Sequence, residues 1–294
     1  MNYSKIKLCR NATRLLKYTL LLFLLASSQL LMAQKKLSSD DWKIAIEAWT
    51  FHDFTLAETL DKLDSCGVKY LGGHPNQEIG NGIEGNMDYD KMNVFSCQKV
   101  LDMLRAKGIK MFSYGVITPD TDSGWIQLFS FAKIMGIKTI LAEPTKEQIP
   151  FVSKLADEYK IDVAIHNHPK PTRYWNPEIV LDALKGASPR IGACADIGHW
   201  VRSGLDPIEC IKKLKGHIIE FHMKDLNEKG FDDAHDVPWG TGVSNIAGIM
   251  KEMKRQGFRG FVSVEYEYHW DNSVPEVKSS IKFFKNETKT LFKN

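Results

Sequence analysis

Short apolar runs alternate with longer segments of helical periodicity along most of the chain. The runs are rich in β-branched residues and have the length of buried strands, whereas the apolar positions between them recur at the spacing of one helix face. This pattern predicts eight strands, at residues 43–48, 69–72, 110–114, 139–142, 162–166, 190–195, 218–222 and 260–265. The eight predicted helices cover residues 56–66, 93–107, 124–135, 147–159, 177–184, 207–214, 244–256 and 275–292.

Glycines punctuate this pattern, because most of the predicted helices are followed by a glycine and then by the next strand. Glycine is the residue that most readily ends a helix in the left-handed conformation. The repeated order of strand, helix, glycine and strand indicates an α/β fold with a parallel sheet. Eight such units favour one closed (β/α)8 TIM barrel over an open sheet. No G-x-G-x-x-G motif follows the first strand to support a dinucleotide-binding fold.

The first 33 residues have the features of a secretory signal peptide. Five basic residues precede an apolar stretch over residues 18–32, and Ala33 offers a small side chain for cleavage. The uninterrupted apolar run is shorter than the ~20 residues that a membrane span needs, so cleavage is favoured over an uncleaved anchor helix. We therefore expect an exported, periplasmic protein without membrane contact after cleavage, folded as one barrel domain over residues 34–294.

The charge of the predicted mature chain argues against nucleic acid as a partner. The full sequence has 39 Lys and Arg against 36 Asp and Glu, and loss of the five basic leader residues leaves 34 against 36, a net charge of −2. A chain without a basic excess has little with which to hold a phosphate backbone. Four cysteines outside the leader form no CxxC pair, and we expect them to be buried small hydrophobic residues rather than a disulfide framework.

Ionisable residues follow several of the predicted strands, where the working residues of such barrels stand. Glu143, Asp196, His222 and Glu265 come at the ends of the fourth, sixth, seventh and eighth strands. Each has an ordinary structural explanation when it is taken alone. Three carboxylates brought together would repel one another and raise their pKa values unless a cation lay among them. The set therefore predicts one divalent metal ion, and its oxygens and imidazole suit Mn²⁺, Co²⁺, Mg²⁺ or Zn²⁺.

These residues also carry a resemblance to a known family. Glu143, Asp196-x-x-His199, His222-x-Lys224-Asp225, the Val-Pro-Trp-Gly-Thr-Gly loop at 237–242 and Glu265 resemble the sugar phosphate isomerase/epimerase family, which has a xylose-isomerase-like TIM barrel. The resemblance covers about residues 43–284. It implies that Glu143, Asp196, His222 and Glu265 are metal ligands and that Glu143 and Glu265 are also the catalytic acid and base.

The implied reaction is the removal of a proton next to a sugar carbonyl, which gives an enediolate that the metal stabilises. No phosphate-binding loop is evident, so we expect a sugar or glycoside without phosphate as the small-molecule substrate. His199 is expected to contact a substrate hydroxyl or oxyanion, and Lys224 either neutralises charge there or pairs with Asp225. His166 and His168 are both candidates for substrate binding, and only one of them is expected to face the site. The remaining candidates for substrate binding are His74 and His235.

Three other functions stay open. A 3-keto-glycoside lyase would use the same metal and base, and an exported location suits a glycoside. A phosphodiesterase of the AP endonuclease type is suggested by His74 and by Asp233-Ala234-His235, which resemble additional zinc ligands, although Tyr114 stands where that family has a histidine. An inactive sugar-binding barrel is disfavoured because the ligand set is complete.

Overall fold

Eight parallel strands close into a barrel in the computed structural model, which describes residues 36–293. Each strand pairs with its neighbours in sequence, and the last pairs with the first, Trp42 lying opposite Gly260. This confirms the predicted TIM barrel. The strands are β1 (Trp42–Glu47), β2 (Tyr70–Gly73), β3 (Lys110–Tyr114), β4 (Thr139–Ala142), β5 (Asp162–His166), β6 (Ile191–Asp196), β7 (Ile218–Met223) and β8 (Gly260–Val264).

Helices surround the barrel at nearly the predicted positions. They are α1 (Leu56–Ser65), α2 (Val94–Ala106), α3 (Asp122–Met135), α4 (Ile149–Tyr159), α5 (Pro177–Ala183), α6 (Ile197–Arg202), α7 (Pro207–Lys213), α8 (Ile246–Gln256) and α9 (Val274–Leu291). The short helix α6 was not predicted, because it begins directly after β6 without an intervening loop. Ser39–Asp41 and Ala48–Phe51 form 3₁₀ turns, and two small ribbons pair Glu78–Gly80 with Ile83–Asn86 and Asp225–Leu226 with Asp236–Val237.

Local sequence explains where several helices begin and end. Thr55 begins α1 with a reciprocal cap, in which its hydroxyl accepts the Glu58 N–H at 3.2 Å and the Glu58 carboxylate accepts the Thr55 N–H at 2.9 Å. Gly136 and Gly257 end α3 and α8, both with a φ of 73°, which is the left-handed region that glycine enters without a steric penalty. The helices are therefore delimited by interactions that lie within a few residues.

The lumen of the barrel changes character from one end to the other. Phe112 of β3 stacks on Phe261 of β8 with 3.7 Å between ring centroids, and because these strands are not neighbours the contact crosses the lumen near its amino-terminal end. Side chains alternate along a strand. Ser263 and Glu265 therefore follow Phe261 on the inward face of β8, and the lumen becomes polar towards the carboxyl ends.

The N-terminal predictions fall mostly outside the described residues. The signal peptide predicted for residues 1–33 lies wholly there, and the compact barrel unit begins at Ser39. Over residues 36–293, no helix combines the length and apolar character that crossing a membrane requires. The four described cysteines are free thiols and buried, as expected: Cys66, Cys97, Cys194 and Cys210.

Candidate active site

A cavity of about 680 Å³ opens at the carboxyl ends of the strands. That volume lies within the range of pockets that hold small molecules. Loops after β3 and β4 form one wall, and residues from β7 and β8 lie opposite. The lining residues are Glu47, Trp49, His74, Gly115, Val116, Thr118, Asp120, Glu143, Thr145, Gln148, His166, His168, Arg173, His199, His222, Glu265 and Glu267.

Four ionisable side chains meet at the floor of this cavity, and we call His166, Asp196, His222 and Glu265 the upper cluster. One ligand atom from each lies within 4.8 Å of the others, and all four residues are buried. His222 Nδ1 is 2.8 Å from Glu265 Oε2, and His166 Nε2 is 3.5 Å from Asp196 Oδ2. Two imidazoles and two carboxylates form a donor set that divalent transition metals accept.

Lys224 supplies a positive charge beside the upper cluster. Its ammonium lies 2.9 Å from Asp196, 2.9 Å from Glu265 and 3.0 Å from Glu267. Burial alone would lower the pKa of Lys224, but these carboxylates outweigh burial and hold it well above its usual value. The side chain lies beneath the cavity and is not among the lining residues.

The alternative in which Lys224 pairs with Asp225 is wrong, because the Lys224 ammonium pairs with Asp196, Glu265 and Glu267. The Asp225 carboxylate instead accepts the N–H groups of Gly240, Gly242 and Ser244 at 2.8–2.9 Å. Asp225 thereby fixes the end of the 237–242 loop, which explains why a carboxylate follows the lysine in this motif.

Glu143 lies close to His166 of the upper cluster, after the strand opposite the one that precedes Glu265. It follows β4, which is directly opposite β8 in the ring, and its carboxylate is paired with His168 Nδ1. Glu143, His166 and His168 form a second group with ligand atoms within 4.8 Å of one another. Three of the four predicted ligands, Asp196, His222 and Glu265, therefore come together, and His166 lies with them. The assignment of Glu143 as a fourth ligand stays a prediction.

His166 and His168 both line the cavity, so the expectation that only one of them faces the site is wrong. Side chains two residues apart leave a strand on the same side, which brings both rings to the carboxyl end of β5. Neither ring nitrogen of His166 has a hydrogen-bond partner among the described residues. Burial lowers the pKa of His166, which favours the neutral ring that binds metals.

The other predicted contact residues divide into two groups. His74 and His199 line the cavity, and burial lowers the pKa of both, that of His74 to about 4. His235 does not line it: its ring stacks on Tyr268 with 4.4 Å between centroids. Asp236 belongs to the ribbon that pairs Asp225–Leu226 with Asp236–Val237, and it points inward to Arg202 at 3.0 Å. The adjacent His235 therefore points away from the cavity.

The phosphodiesterase hypothesis loses the part of its support that came from Asp233-Ala234-His235, although His74 lines the cavity. Asp233 is exposed, and neither it nor His235 reaches the cavity. The additional zinc ligands that this hypothesis needs from the Asp233-Ala234-His235 segment are therefore not in position.

A charged network behind Lys224 was not predicted. The Glu267 carboxylate accepts Trp49 Nε1 at 3.2 Å and Arg202 Nη1 at 2.7 Å, besides its contact with Lys224. Arg202 also forms an ion pair with Asp236, at 3.0 Å. The sequence signal was present in Glu265-Tyr-Glu267, because the second glutamate shares the inward face of the first.

Glu47 and Glu220 were also not predicted, and together with His222 they form what we call the inner triad, deeper in the lumen. Both carboxylates approach His222 Nε2, at 3.5 Å and 3.6 Å. Burial raises the pKa of Glu220, and it raises that of Glu47 to about 7. Glu220 lies two residues before His222, so the alternation of β7 was the signal that could have found it.

Comparison with known proteins agrees with this architecture. A family model described as a xylose isomerase-like TIM barrel matches residues 143–287. An uncharacterized protein from Methanocaldococcus jannaschii is 31% identical over 120 residues, which cover 39% of this chain, and the match spans about two fifths (40%) of that relative's length. A crystal structure of an uncharacterized protein from Parabacteroides distasonis is 38% identical with a TM-score of 0.69, over 84% of this chain and 99% of that one.

More distant solved structures share the fold. A D-tagatose 3-epimerase-like protein is 16% identical with a TM-score of 0.67, over 85% of this chain and 98% of its own. The IolI protein, solved with a zinc atom, is 18% identical with a TM-score of 0.64, over 86% of this chain and 100% of its own. At these identities the likeness concerns the barrel itself.

Proposed function

The chain belongs to the xylose isomerase-like TIM barrel family, and from this premise we propose that it is a divalent-metal-dependent isomerase or epimerase of a sugar without phosphate. One observation carries the proposal: buried imidazoles and carboxylates form the floor of a sugar-sized cavity, and a further carboxylate, Glu143, stands on the opposite wall. Relatives of the same fold include an epimerase-like protein and a protein solved with zinc.

The residues of the upper cluster fit a metal ion. Asp196, His222 and Glu265 supply oxygen and nitrogen donors, and His166 adds a neutral ring whose nitrogens have no hydrogen-bond partner among the described residues. A buried polar atom without a partner calls for an explanation, and a bound ion is one. When bound, a divalent ion would act as a Lewis acid that polarises the substrate carbonyl.

The chain's own residues account for the proton transfers. Glu143 and Glu265 face the cavity from strands directly opposite in the ring, so a sugar carbon between them has a carboxylate on each face. Burial alone would raise the pKa of Glu265, but Lys224 and His222 outweigh burial and lower it to about 2. Glu265 is therefore ionised and able to accept a proton, while Glu143 can exchange one with His168.

The charges around the cavity favour a substrate without phosphate. Five carboxylates line it, and among the described lining residues Arg173 is the only lysine or arginine. Arg173 already donates a hydrogen bond to the Glu143 carbonyl at 2.6 Å. Lys224 and Arg202 are paired with carboxylates behind the cavity, so one guanidinium faces five carboxylates, a balance that disfavours a phosphate group.

Hydrogen exchange with solvent tests this function directly. The purified protein, stripped with a chelator and reloaded with Mn²⁺, Co²⁺, Mg²⁺ or Zn²⁺, is incubated in D₂O with free ketoses and aldoses. We expect deuterium at the carbon next to the carbonyl, detected by NMR, and none in the stripped protein. Exchange that is unaffected by metal removal would refute the metal-dependent mechanism, and no exchange with any metal and sugar would refute the function.

A 3-keto-glycoside lyase is the second candidate, because the 680 Å³ cavity leaves room for a group beyond one sugar ring. Such an enzyme would use the same base and release the group attached to the sugar. Release of a chromophore from a 3-keto-glucoside, faster than deuterium exchange into free sugars, would favour this candidate. Export of the protein stays a proposal, which fractionation of the producing cell would test.

A further inference from the structure

The inner triad is as fully enclosed as the upper cluster, and several of its polar atoms lack partners among the described residues. Glu47, Glu220 and His222 have exposed fractions of 3%, 0% and 2%. Four of their atoms have no hydrogen-bond partner among the described residues: Glu47 Oε1, Glu220 Oε1, Glu220 Oε2 and His222 Nε2. Two ionised carboxylates buried together with so few donors are strongly unfavourable, so they are balanced either by protons or by a compensating cation.

The spacing of these atoms fits a coordination shell better than a hydrogen-bond network. His222 Nε2 lies 3.5 Å from Glu47 Oε1 and 3.6 Å from Glu220 Oε1, and the three ligand atoms are within 4.8 Å of one another. These separations are too long for good hydrogen bonds. Ligands about 2.1 Å from a tetrahedral ion are ~3.4 Å apart, which is close to both distances.

The neighbouring strand leaves space for this arrangement. A Cβ atom at Gly72 of β2 would lie 1.9 Å from Glu47 Oε2, so the glycine is what allows the Glu47 side chain to turn into the lumen. Glu47 also lines the cavity, which gives an ion a route from solvent to the triad.

We propose that Glu47, Glu220 and His222 bind a second divalent transition-metal ion inside the barrel, below the upper cluster. The two sites use different nitrogens of one ring, since His222 Nδ1 lies beside Glu265 and Nε2 beside the triad. With both ions bound, the ring is an imidazolate whose N–H proton has been released to solvent. An ion in the triad neutralises the two buried carboxylates and holds the His222 ring in one orientation. This proposal does not depend on the sugar chemistry above.

Metal stoichiometry tests the second site. The full chain, stripped with a chelator and dialysed against Zn²⁺ or Co²⁺, is measured by mass spectrometry of the metal. We expect two ions per chain in the wild type, one in Glu220→Gln and one in Asp196→Asn. Glu252→Gln is the matched control, because Glu252 is also buried but pairs with Arg255 on α8, and it should keep both ions.

The two proposals fail in different ways. If the wild type binds one ion, and Glu220→Gln loses that ion while Asp196→Asn keeps it, the result supports the inner site and refutes the upper one. The inner site is overturned if Glu220→Gln still binds two ions. It is also overturned if the wild type binds one ion that only Asp196→Asn loses.

Circular dichroism checks that each variant is folded. If Glu220→Gln does not fold, Glu47→Gln takes its place, with the same outcomes. X-ray absorption of zinc-loaded Asp196→Asn should show one imidazole and carboxylate oxygens, and a spectrum without imidazole also overturns the site.

Discussion

Glu47 and Glu265 are both buried at the same end of the barrel and both approach His222, yet their acidities diverge. Burial raises the pKa of Glu47 to about 7, whereas Glu265, where Lys224 and His222 outweigh burial, has a pKa of about 2. The difference lies in the partners, because Lys224 contacts Glu265 at 2.9 Å and no comparable ammonium is described beside Glu47. The upper cluster therefore holds its own cation, and the inner triad depends on His222 or on an ion from solvent.

This comparison separates two kinds of polar residue in one lumen. Carboxylates balanced by a lysine stay ionised and available for proton transfer or coordination. Carboxylates without such a partner are destabilising until something neutralises them. Four variants test this division, and they are given in order of expected effect.

Glu265→Gln should have the largest effect, because an amide cannot accept and return a proton. We expect deuterium exchange to slow by about 10²–10⁴-fold, the usual contribution of general acid–base catalysis. The amide oxygen still accepts a hydrogen bond from Lys224, so the fold should be largely preserved. Glu252→Gln serves as the control, and exchange within tenfold of wild type in Glu265→Gln would break the acid–base assignment.

Lys224→Met removes the cation of the upper cluster while keeping most of the side-chain volume. In the presence of a chelator, we expect the free energy of unfolding to fall by ~3–5 kcal/mol, because buried carboxylates lose their partner. Denaturant unfolding at pH 7 measures the change. Lys212→Met, which disrupts an exposed pair with Glu209, should change stability little. Equal effects of the two variants would contradict the central role of Lys224.

Glu47→Gln should change the pH dependence of stability in the metal-free protein. The pKa of Glu47 is about 7 in the folded chain and near the ordinary 4.5 when unfolded. The cost of ionising it is therefore absent below about pH 4.5, grows as the pH rises, and is complete above about pH 7. Relative to wild type, the variant should gain roughly 3 kcal/mol across that range. A stability difference that does not vary with pH, in unfolding measurements with chelator present, would contradict this view.

His235→Ala should have the smallest effect, because the ring stacks on Tyr268 outside the cavity. We expect exchange rates and metal content equal to those of the wild type. A loss of activity above tenfold would mean that His235 reaches the substrate, and it would move the boundary of the site beyond the upper cluster.

The prediction of the strands and most helices succeeded because their signals are local. Alternation of apolar residues, helix periodicity, and glycines such as Gly136 act within a few residues and do not depend on the rest of the chain. The short helix α6 was missed because Asp196 ends a strand and also caps a helix, accepting the His199 N–H at 2.9 Å.

Part of the site was also predicted from a local signal, the position of a residue at the end of a strand. The rule that strand ends carry the chemistry selected Asp196, His222 and Glu265, which the closed barrel brings together. The same rule overlooked Glu220, because it lies within its strand, and it misjudged the pair His166 and His168. Attention to alternation along each strand would have added Glu220 and placed both histidines on the inward face.

The sequence by itself determined the order of strands and helices, the closed barrel and the group of ionisable residues at one end. Only the tertiary structure decided how those residues pair: Lys224 with Asp196 and Glu265, Glu143 with His168, and Glu47 with Glu220 around His222. The physical reason is that periodicity gives the face on which a side chain lies. Its partner and its charge depend on distances across the lumen and on burial, which exist only after the barrel has closed.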